Sequence, residues 1–455
     1  MGKTLSKNFT SGNIPKQLFL FMLPFMASNA LQVLYSTVDM IVVGHFVGTP
    51  GLSAVAQSSQ IVNFSVMVCF GFSNAGQVLV AQALGANKRE ELNSIIGTLF
   101  SMIISFAIAL SVIMLVARNG ILTVMNIPPE SLEMSRQYFT ISIIGLIFTA
   151  GYNMISAVLR GMGDSKRPFT FIAIASVANL VLDLLFTGLF GWGVAGAALA
   201  TIIGQAISLV FSISYLIKKK EEFGFDFKLK SFKFTKKYVT HIFSLGTPMA
   251  IQSAAINVSM LFVNSMINGV GVVASATFGA GIKIDDIINK ISIGIQHAAM
   301  PMISQNIAAR EHKRAQKIVY WSWAFAVSFT VICIAAYLLF GKQMFMLFSD
   351  DVLVHEMCGT FISAIIWMFP ALAIMRGTGA FIQGIGNARF NMILALLDGV
   401  ILRIGLSWLF GEVLSWGFYG YVLGYGLAPY GFAVPGAIYF LSGVWKKRRT
   451  LADDM

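Results

Sequence analysis

Long apolar segments recur along this 455-residue chain, and they constrain its fold more than any other feature. Each is about 20 residues or longer, the length that a helix needs to cross the hydrocarbon core of a bilayer. Charged residues make up only 11% of the chain, against about 25% in soluble domains. The alternating pattern of a β-barrel is absent, so helices are expected to satisfy the backbone in lipid. The sequence therefore predicts an all-α polytopic membrane protein.

The apolar pattern predicts twelve transmembrane helices in two bundles of six. We expect an amino-terminal lobe over residues 1–217, a basic cytoplasmic linker over 218–240, and a carboxy-terminal lobe with a short basic tail over 241–455. The expected spans are 15–46, 52–83, 93–117, 134–159, 167–190, 193–217, 241–269, 272–308, 316–341, 354–382, 388–411 and 415–445.

Basic residues set the expected orientation, because cytoplasmic loops of membrane proteins carry an excess of Lys and Arg. With the amino terminus inside, the cytoplasmic segments hold 25 of the 32 Lys and Arg residues, the outside segments hold three, and four fall within spans. Both termini are therefore expected in the cytoplasm. We attribute the net charge of +12 to this topology and to contact with membrane lipid, and we expect no nucleic-acid partner.

The two halves of the chain look like repeats of one unit. A shift of 223 residues places Gly71 on Gly294 and Gln82 on Gln305, whereas Pro248 lies one residue beyond the position that matches Pro24. A six-span unit returns the chain to its starting side, so the bundles should be related by a pseudo-two-fold axis along the membrane normal. Such duplication favours a transporter, with a channel or a duplicated scaffold as alternatives.

Charges within the spans differ between the two halves. The amino-terminal half has Asp39 and Asp183 and no basic residue within a span to neutralise them. An ionisable residue inside a membrane is costly and marks a candidate functional site. Two unneutralised carboxylates favour the capture of a proton or a cation.

The depth of these acids in their spans strengthens that interpretation. At a rise of 1.5 Å per residue, Asp39, Asp183 and Thr201 all lie roughly 10–12 Å below the outer surface. Asn179 is one turn from Asp183, and Tyr35 is one turn from Asp39. Such an oxygen-rich cluster could hold H⁺ or a hard cation such as Na⁺. The alternative is that Asn179 and Thr201 only hydrogen-bond a neighbouring helix, as polar residues in membranes often do.

A resemblance to the multidrug and toxic compound extrusion (MATE) transporters rests on four segments, PFMASNALQVLYSTVDMIVVGHFVG, AVLRGMGDSKRPF, NLVLDLLF and GVAGAALAT, within a twelve-span plan that matches over nearly the whole chain. The resemblance implies an antiporter of a prokaryotic inner or plasma membrane. It would export amphipathic, often cationic organic compounds against inward H⁺ or Na⁺, through a cavity between two lobes.

The resemblance also implies roles for single residues. In DinF-like members a cluster in the amino-terminal lobe binds the coupling ion, and the matching residues here are Asp39, Asn179, Asp183 and Thr201, with Tyr35 and Asn153 as lining residues. NorM-like members have an acidic cation ligand on span 7, where this chain offers Gln252, Asn257 and Asn264 instead. This departure favours the DinF-like branch.

The carboxy-terminal half carries a mixed set of charges, which are Lys283, Asp285, Asp286, Lys290, Arg376, Asp398 and Arg403. Much of this set is expected to form ion pairs, since Lys283 and Asp286 are at i,i+3 and Asp286 and Lys290 at i,i+4. We also take Gln252, Lys283, Arg376 and Asp398 as candidates for lining a substrate cavity.

Two other functions remain open. A flippase for a lipid-linked or anionic amphiphile would use Lys283, Lys290, Arg376 and Arg403 to hold phosphate. A polytopic prenyl transferase would use Asp285 and Asp286 to bind Mg²⁺ and diphosphate, but no second acidic motif and no GxSxG or HExxH motif is present. We therefore expect a transporter and not an enzyme, without a cofactor other than the coupling ion, and acting as a monomer on small amphipathic molecules.

Overall fold

The computed structural model describes residues 7–125 and 127–454. The structure is 87% helical, and the described residues contain no strand. Lys3, one of the residues on which the orientation of the amino terminus depends, lies outside the described residues. The helices are α1 (Ile14–Phe46), α2 (Thr49–Gly85), α3 (Leu92–Val124), α4 (Pro129–Ile144), α5 (Leu146–Gly161), α6 (Lys166–Asp183), α7 (Gly193–Lys218), α8 (Lys220–Phe223), α9 (Lys236–Val270), α10 (Val272–Ala308), α11 (His312–Met346), α12 (Val352–Ile365), α13 (Met368–Gly384), α14 (Ala388–Leu396), α15 (Arg403–Trp408), α16 (Gly417–Leu427) and α17 (Tyr430–Ser442).

The predicted spans correspond closely to these helices. Eight helical segments of the described chain are long and apolar enough to cross a membrane, and there are eleven if each of three bent pairs counts as one span. α4 and α5 form one such pair, bent by 43°, and α12 and α13 form another, bent by 47°. α10 is not among the eleven, and it carries Lys283, Asp285, Asp286 and Lys290. An all-α membrane protein is confirmed.

The described chain forms two compact units. Unit 1 contains Ala27–Ala250 with Lys7 and Asn8, and unit 2 contains Phe9–Met26 with Ile251–Asp454. The division therefore lies inside α1 and inside α9, whereas the sequence placed it in the linker at 218–240. In both helices it comes two residues after a proline, Pro24 in α1 and Pro248 in α9. A proline removes a backbone donor and is a common position of helix bending.

Each unit repeats the same packing scheme. In unit 1, α2 packs against α3, α4 and α5, and α7 packs against α4, α5 and α6. In unit 2, α10 packs against α11, α12 and α13, while α16 packs against α12 and α15, and α17 against α13. The internal repeat expected from the sequence is thus present in the helix order and packing of the units.

One turn is repeated in atomic detail. In unit 1 the rings of Phe186 and Trp192 stack with centroids 4.9 Å apart, and the Trp192 N–H donates to the Phe186 carbonyl at 2.9 Å. In unit 2 Phe410 and Trp416 stack at 5.3 Å, and the Trp416 N–H donates to the Phe410 carbonyl at 3.1 Å. These pairs are 224 residues apart, one more than the shift predicted from the sequence.

An additional π-helical turn in unit 2 accounts for the extra residue. The turns at Gly163 and Gly386, both with positive φ, still match at a shift of 223. Between them and the Phe–Trp turn, unit 2 has a π-helix over Leu397–Leu402 that the α-helix α6 of unit 1 lacks at the matching place. A π-turn holds more residues than an α-turn, so one inserted residue is accommodated here. Asp398 lies in this turn.

Candidate functional site

Two carboxyl groups of unit 1 lie side by side. Asp39 is on α1, and Asp183 is the last residue of α6 and is fully buried. The two groups are within hydrogen-bonding reach of each other. An ionised carboxylate only accepts hydrogen bonds, so the contact is favourable when one group is protonated or when a cation lies between them. The structure brings together both acids that the sequence singled out, and their role in coupling stays a prediction.

Several oxygens of this site lack a donor. Asp39 Oδ1, both carboxyl oxygens of Asp183 and Asn179 Oδ1 are buried without a well-aligned hydrogen bond in the described part of the chain, and the Asn179 side chain lies close enough to Asp183 to interact with it. A buried acceptor left unpaired costs about 1–3 kcal/mol, and more when it is charged. Oxygen atoms of this kind are the ligands that hard cations prefer. A proton or a bound Na⁺ would relieve the cost.

Asn179 and Thr201 complete the cluster. Asn179 lies one turn before Asp183 on α6, and its Nδ2 donates to Oγ1 of Thr201 on α7 at 3.4 Å. Both residues line a pocket of about 10 Å³, which is the room of about one water molecule or small ion. The other residues around this pocket are Tyr35, Ile172, Ala175, Ser176, Gly204 and Gln205. The pocket is too small for an organic compound.

Tyr138 and Ser59 also belong to this site, although the sequence analysis did not identify them. Tyr138 on α4 interacts electrostatically with both Asp39 and Asp183. Oγ of Ser59 on α2 donates to the Tyr138 hydroxyl at 3.5 Å. Tyr138 lies four residues inside the outer end of the predicted span 134–159, about 6 Å deep at 1.5 Å per residue, so the depth that selected the two acids did not select it. The site is therefore built from five helices of unit 1.

Tyr35 lies at the cluster, and Asn153 does not join it. Tyr35 interacts electrostatically with Asp39, one turn away on α1, and with Tyr152 on α5. The Tyr152 hydroxyl donates to the carbonyl of Pro168 at 2.8 Å. Asn153 is half-buried on α5, and within the described chain it forms no hydrogen bond to the residues of the cluster. Its proposed lining role stays a prediction.

An apolar layer covers the carboxyl pair on one side. Its buried members are Val43, Val55, Val194 and Ala197, and Met40, Val47, Met134 and Tyr138 pack against them. Val43 is one turn beyond Asp39, and Ala197 is one turn before Thr201, so the layer lies toward the end of unit 1 where α1 ends. The polar pocket lies on the opposite side, toward Ser176 and Gln205. Along α1 and α7 the layer therefore lies between the level of the carboxyl pair and that end of the unit.

The backbone changes conformation at Asp183. α6 ends there and continues as a π-helix over Leu184–Leu189. π-turns are rare and occur frequently at functional sites. Oγ1 of Thr187 in this turn donates to the carbonyl of Gly193 at 3.3 Å, which ties the turn to the start of α7. The end of α6 is thereby held against the helix that carries Thr201.

Unit 2 holds two buried arginines, each with its own partners. Nε of Arg376 donates to Oγ of Ser292 at 3.1 Å, and its Nη2 contacts Oδ1 of Asn289. Arg403 pairs with Asp398 at 3.0 Å. Its guanidinium also lies over the ring of Tyr425, 4.7 Å from the centroid. The ion pair spans the π-helical turn at i,i+5, outside the i,i+3 and i,i+4 spacings expected from the sequence.

The charged residues of α10 point in different directions. The Tyr337 hydroxyl donates to Oδ1 of the buried Asp285 at 2.7 Å. Asp286, Lys283 and Lys290 are exposed on unit 2. Asp286 interacts with Lys290, whereas the expected ion pair between Lys283 and Asp286 is not formed in the described chain. Because Asp285 and Asp286 diverge, they do not form a common site for Mg²⁺ and diphosphate.

Gln252 is the remaining predicted lining residue. Its Oε1 accepts a hydrogen bond from Nδ2 of Asn391 on α14 at 2.8 Å. Gln252 and Asn391 both belong to unit 2. The side chain thus ties α9 to α14.

The profile of the family described as MatE matches the chain twice, over residues 24–185 and 248–409. The two matches cover more than half of the chain. This chain belongs to the MatE family of MATE transporters. Both matches are displaced by 224 residues, which agrees with Pro24 on Pro248 and with the repeated Phe–Trp turn. The first match ends two residues after Asp183.

Relatives of this MATE chain are named as multidrug resistance and multidrug export proteins. It is 29% identical over 450 residues to the "Probable multidrug resistance protein YpnP" of Bacillus subtilis, covering 98% of this chain and 99% of that protein. It is 24% identical over 402 residues to the "Multidrug export protein MepA" of Staphylococcus aureus, covering 87% of each.

Solved structures support the MATE fold. A structure described as the outward-facing conformation of a multidrug resistance MATE family transporter of the MOP superfamily gives a TM-score of 0.91 at 21% identity, covering 97% of this chain and 98% of that one. A MOP superfamily transporter from Pyrococcus furiosus gives the same values. At these identities the likeness establishes the two-bundle fold alone. It leaves assignment to the DinF-like branch as a prediction.

Proposed function

We propose that this MATE transporter is a secondary active antiporter that exports amphipathic, often cationic organic compounds in exchange for H⁺ or Na⁺. The coupling site in this proposal comprises Asp39, Asn179, Asp183 and Thr201. The observation that carries it is the contact between Asp39 and Asp183, with their unpartnered oxygens, next to a pocket the size of one small ion. The relatives named as a probable multidrug resistance protein and a multidrug export protein support the substrate class.

Coupling requires that the ion and the substrate prefer different conformations, since a ligand shifts an equilibrium only by its differential affinity. In the proposed cycle, H⁺ or Na⁺ binds the carboxyl pair from outside and reduces its negative charge. Helix α1 then repacks, and the affinity for a cationic substrate falls so that the substrate leaves outward. After reorientation the ion leaves toward the cytoplasm and the carboxylates regain their charge.

Pro24 and Pro248 are the proposed bending points. Each lies two residues before the position where its helix passes from one compact unit to the other. Bending of α1 at Pro24 would move the segment that carries Asp39 relative to Asp183 on α6. Such a movement gives the carboxyl pair two geometries, one suited to an ion and one open to solvent.

The alternative of an anionic cargo has less support from unit 2. Arg403 is neutralised by Asp398, and Arg376 is hydrogen-bonded to Asn289 and Ser292. Holding a phosphate would require these partners to be exchanged. We therefore assign Arg376 and Asp398 to the buried framework behind the proposed substrate cavity, with Gln252 and Lys283 as its candidate lining residues.

The experiment is export of ethidium by full-length protein in proteoliposomes, with an imposed pH gradient and, separately, a Na⁺ gradient. The proposal expects export under one or both gradients and none without a gradient. A well-folded protein that moves no cationic compound under either gradient would contradict it. In that case an anionic, lipid-linked cargo would be tested next, with Arg376 and Lys283 as the residues to change.

A further inference from the structure

A polar cavity of about 200 Å³ lies in unit 1, away from the carboxyl pair. Its walls come from the first turn of α3 and from the linker between α7 and α9. The lining residues are Asn93, Ser94, Asp226, Lys230, Ser231 and Lys233. Every one of them is polar or charged, and the proposed export cycle uses none of them.

Aromatic packing holds the linker in place. The ring of the buried Phe225 contacts Phe100 of α3 at 5.7 Å and Phe232 at 5.1 Å, measured between ring centroids. Gly97 on α3 has no room for a side chain, because a Cβ there would overlap the carbonyl oxygen of Ser231. The cavity wall is therefore a packed surface, and a ligand would find it already formed.

Hydrogen bonds fix the polar groups of the wall. Oδ1 of Asn93 accepts from the N–H of Asp226 at 3.1 Å, and its Nδ2 donates to Oγ of Ser231 at 3.4 Å. Oδ1 of Asp226 accepts from the N–H of Lys228 at 3.1 Å. Hydrogen bonds from the Ser231 hydroxyl and the Lys228 N–H hold the pKa of Asp226 below its usual value, so this carboxylate stays charged.

The cavity thus presents charges of both signs. Lys230 and Lys233 supply two positive groups on exposed side chains, and Asp226 supplies one negative group with free acceptor capacity. A phosphate alone would meet the lysines and also the repulsion of the carboxylate. A ligand with a phosphate and an ammonium a few atoms apart would satisfy all three charges.

Exposed apolar side chains surround the cavity. Leu229 and Phe234 are 92% and 59% exposed, and they flank the segment that carries Lys230 and Lys233. α3 begins at the cavity, and α9 begins at Lys236, three residues after Lys233; both are candidate spans. Apolar side chains beside lysines at the ends of spans are typical of the headgroup level of a membrane.

We propose that this cavity binds the headgroup of a zwitterionic phospholipid of the phosphatidylethanolamine type, with Lys230 and Lys233 on its phosphate and Asp226 on its ammonium. Leu229 and Phe234 contact the acyl chains of the bound or neighbouring lipids. The site depends on the membrane location of the chain and is independent of the ion that drives export.

The test is native mass spectrometry of the full-length protein in a neutral detergent, titrated with dioleoyl phosphatidylethanolamine or dioleoyl phosphatidylglycerol. Wild type should retain one phosphatidylethanolamine in a saturable manner. Each lysine is expected to contribute about fivefold to the affinity for phosphatidylethanolamine. The variant Lys230→Gln/Lys233→Gln should therefore bind this lipid about 30-fold more weakly. Asp226→Asn should bind phosphatidylethanolamine about fivefold more weakly and phosphatidylglycerol more tightly.

The matched control is Lys218→Gln/Lys220→Gln, which removes two exposed lysines at the end of α7 and the start of α8, outside the cavity. It should leave the affinity within about twofold of wild type. Equal losses in both double variants, or unchanged affinity in Asp226→Asn, would overturn the proposal. Soluble glycerophosphoethanolamine should compete only at far higher concentration than the lipid. Competition at equal concentration would overturn the lipid assignment in favour of a soluble phosphate compound.

Discussion

The carboxyl groups of Asp39 on α1 and Asp183 on α6 lie within hydrogen-bonding reach of each other, and neither oxygen of Asp183 accepts a well-aligned hydrogen bond from a described residue. Two carboxylates so close in an apolar bundle repel each other unless a proton or a cation is shared between them. This relationship links the fold of unit 1 to the proposed antiport, because α1 is also the helix that crosses from one compact unit to the other.

Asn179→Leu should weaken binding of the coupling ion. The substitution removes an unpartnered oxygen and the hydrogen bond to Thr201 while keeping a similar volume. If the lost oxygen contributes about 1–2 kcal/mol to the free energy of ion binding, the half-saturating ion concentration rises about fivefold to thirtyfold. The measurement is the dependence of export on ion concentration. Thr170→Val, at an exposed position of the same helix outside the pocket, is the control and should stay near wild type; an unchanged ion dependence in Asn179→Leu would remove Asn179 from the site.

Breaking the buried ion pair of unit 2 should destabilise the protein. Arg403→Met leaves Asp398 buried without its partner, and such changes cost about 3–5 kcal/mol. The double variant Arg403→Met/Asp398→Leu should recover much of the loss, since no charge is then left unpaired. Thermal unfolding in detergent measures both. A single variant as stable as wild type would show that water or another residue compensates Asp398.

Alanine at the glycines of the repeated turn should destabilise both units. A Cβ at Gly196 would lie 2.9 Å from the carbonyl carbon of Phe186, and one at Gly420 would overlap the carbonyl oxygen of Phe410. Overpacking of this kind costs about 1–3 kcal/mol. Gly405→Ala is the matched control, because no atom lies within 4 Å of its Cβ position. Equal unfolding temperatures for all three variants would contradict the close approach.

Hydrogen bonds from Arg314 hold the segment before α1 in place. Its guanidinium donates to the carbonyls of Phe9, Ser11 and Gly12 at 2.7–2.8 Å, and Phe9 is buried. Arg314→Lys cannot reproduce this fork of donors. We expect at least about tenfold faster hydrogen exchange at the amide of Phe9, equivalent to about 1.4 kcal/mol. Lys313→Gln is the control. Unchanged hydrogen exchange in Arg314→Lys would show that the hydrogen bonds of Arg314 do not hold the segment.

The helices were predictable because each span must bury a long apolar stretch in lipid. The acids at Asp39 and Asp183 were predictable because an unneutralised charge in such a stretch is rare. The contact between their side chains could not be predicted from the sequence, since matched depth does not determine which faces of α1 and α6 meet.

The π-helical turns were not predictable from apolar periodicity. The residue inserted at the π-turn over Leu397–Leu402 appears in the sequence only as the change of the repeat shift from 223 to 224. The π-turns over Leu184–Leu189 and Leu409–Val413 occur in both units and leave no such sign. The same insertion placed Asp398 and Arg403 at a spacing that α-helical rules do not pair. The sequence also did not predict that α1 and α9 each extend from one unit into the other. A long polar linker is the stronger sequence signal for a boundary.

The most direct test of the central claim compares gradient-driven export by wild type, Asp39→Asn and Asp183→Asn in proteoliposomes. Each substitution removes one exchangeable charge from the pair and keeps the shape of the side chain. Asp350→Asn, an exposed acid outside the helices, is the control for a lost carboxylate. Both site variants should lose ion-driven export while they still fold, and Asp350→Asn should transport like wild type. Full ion-driven export by both Asp39→Asn and Asp183→Asn would contradict it.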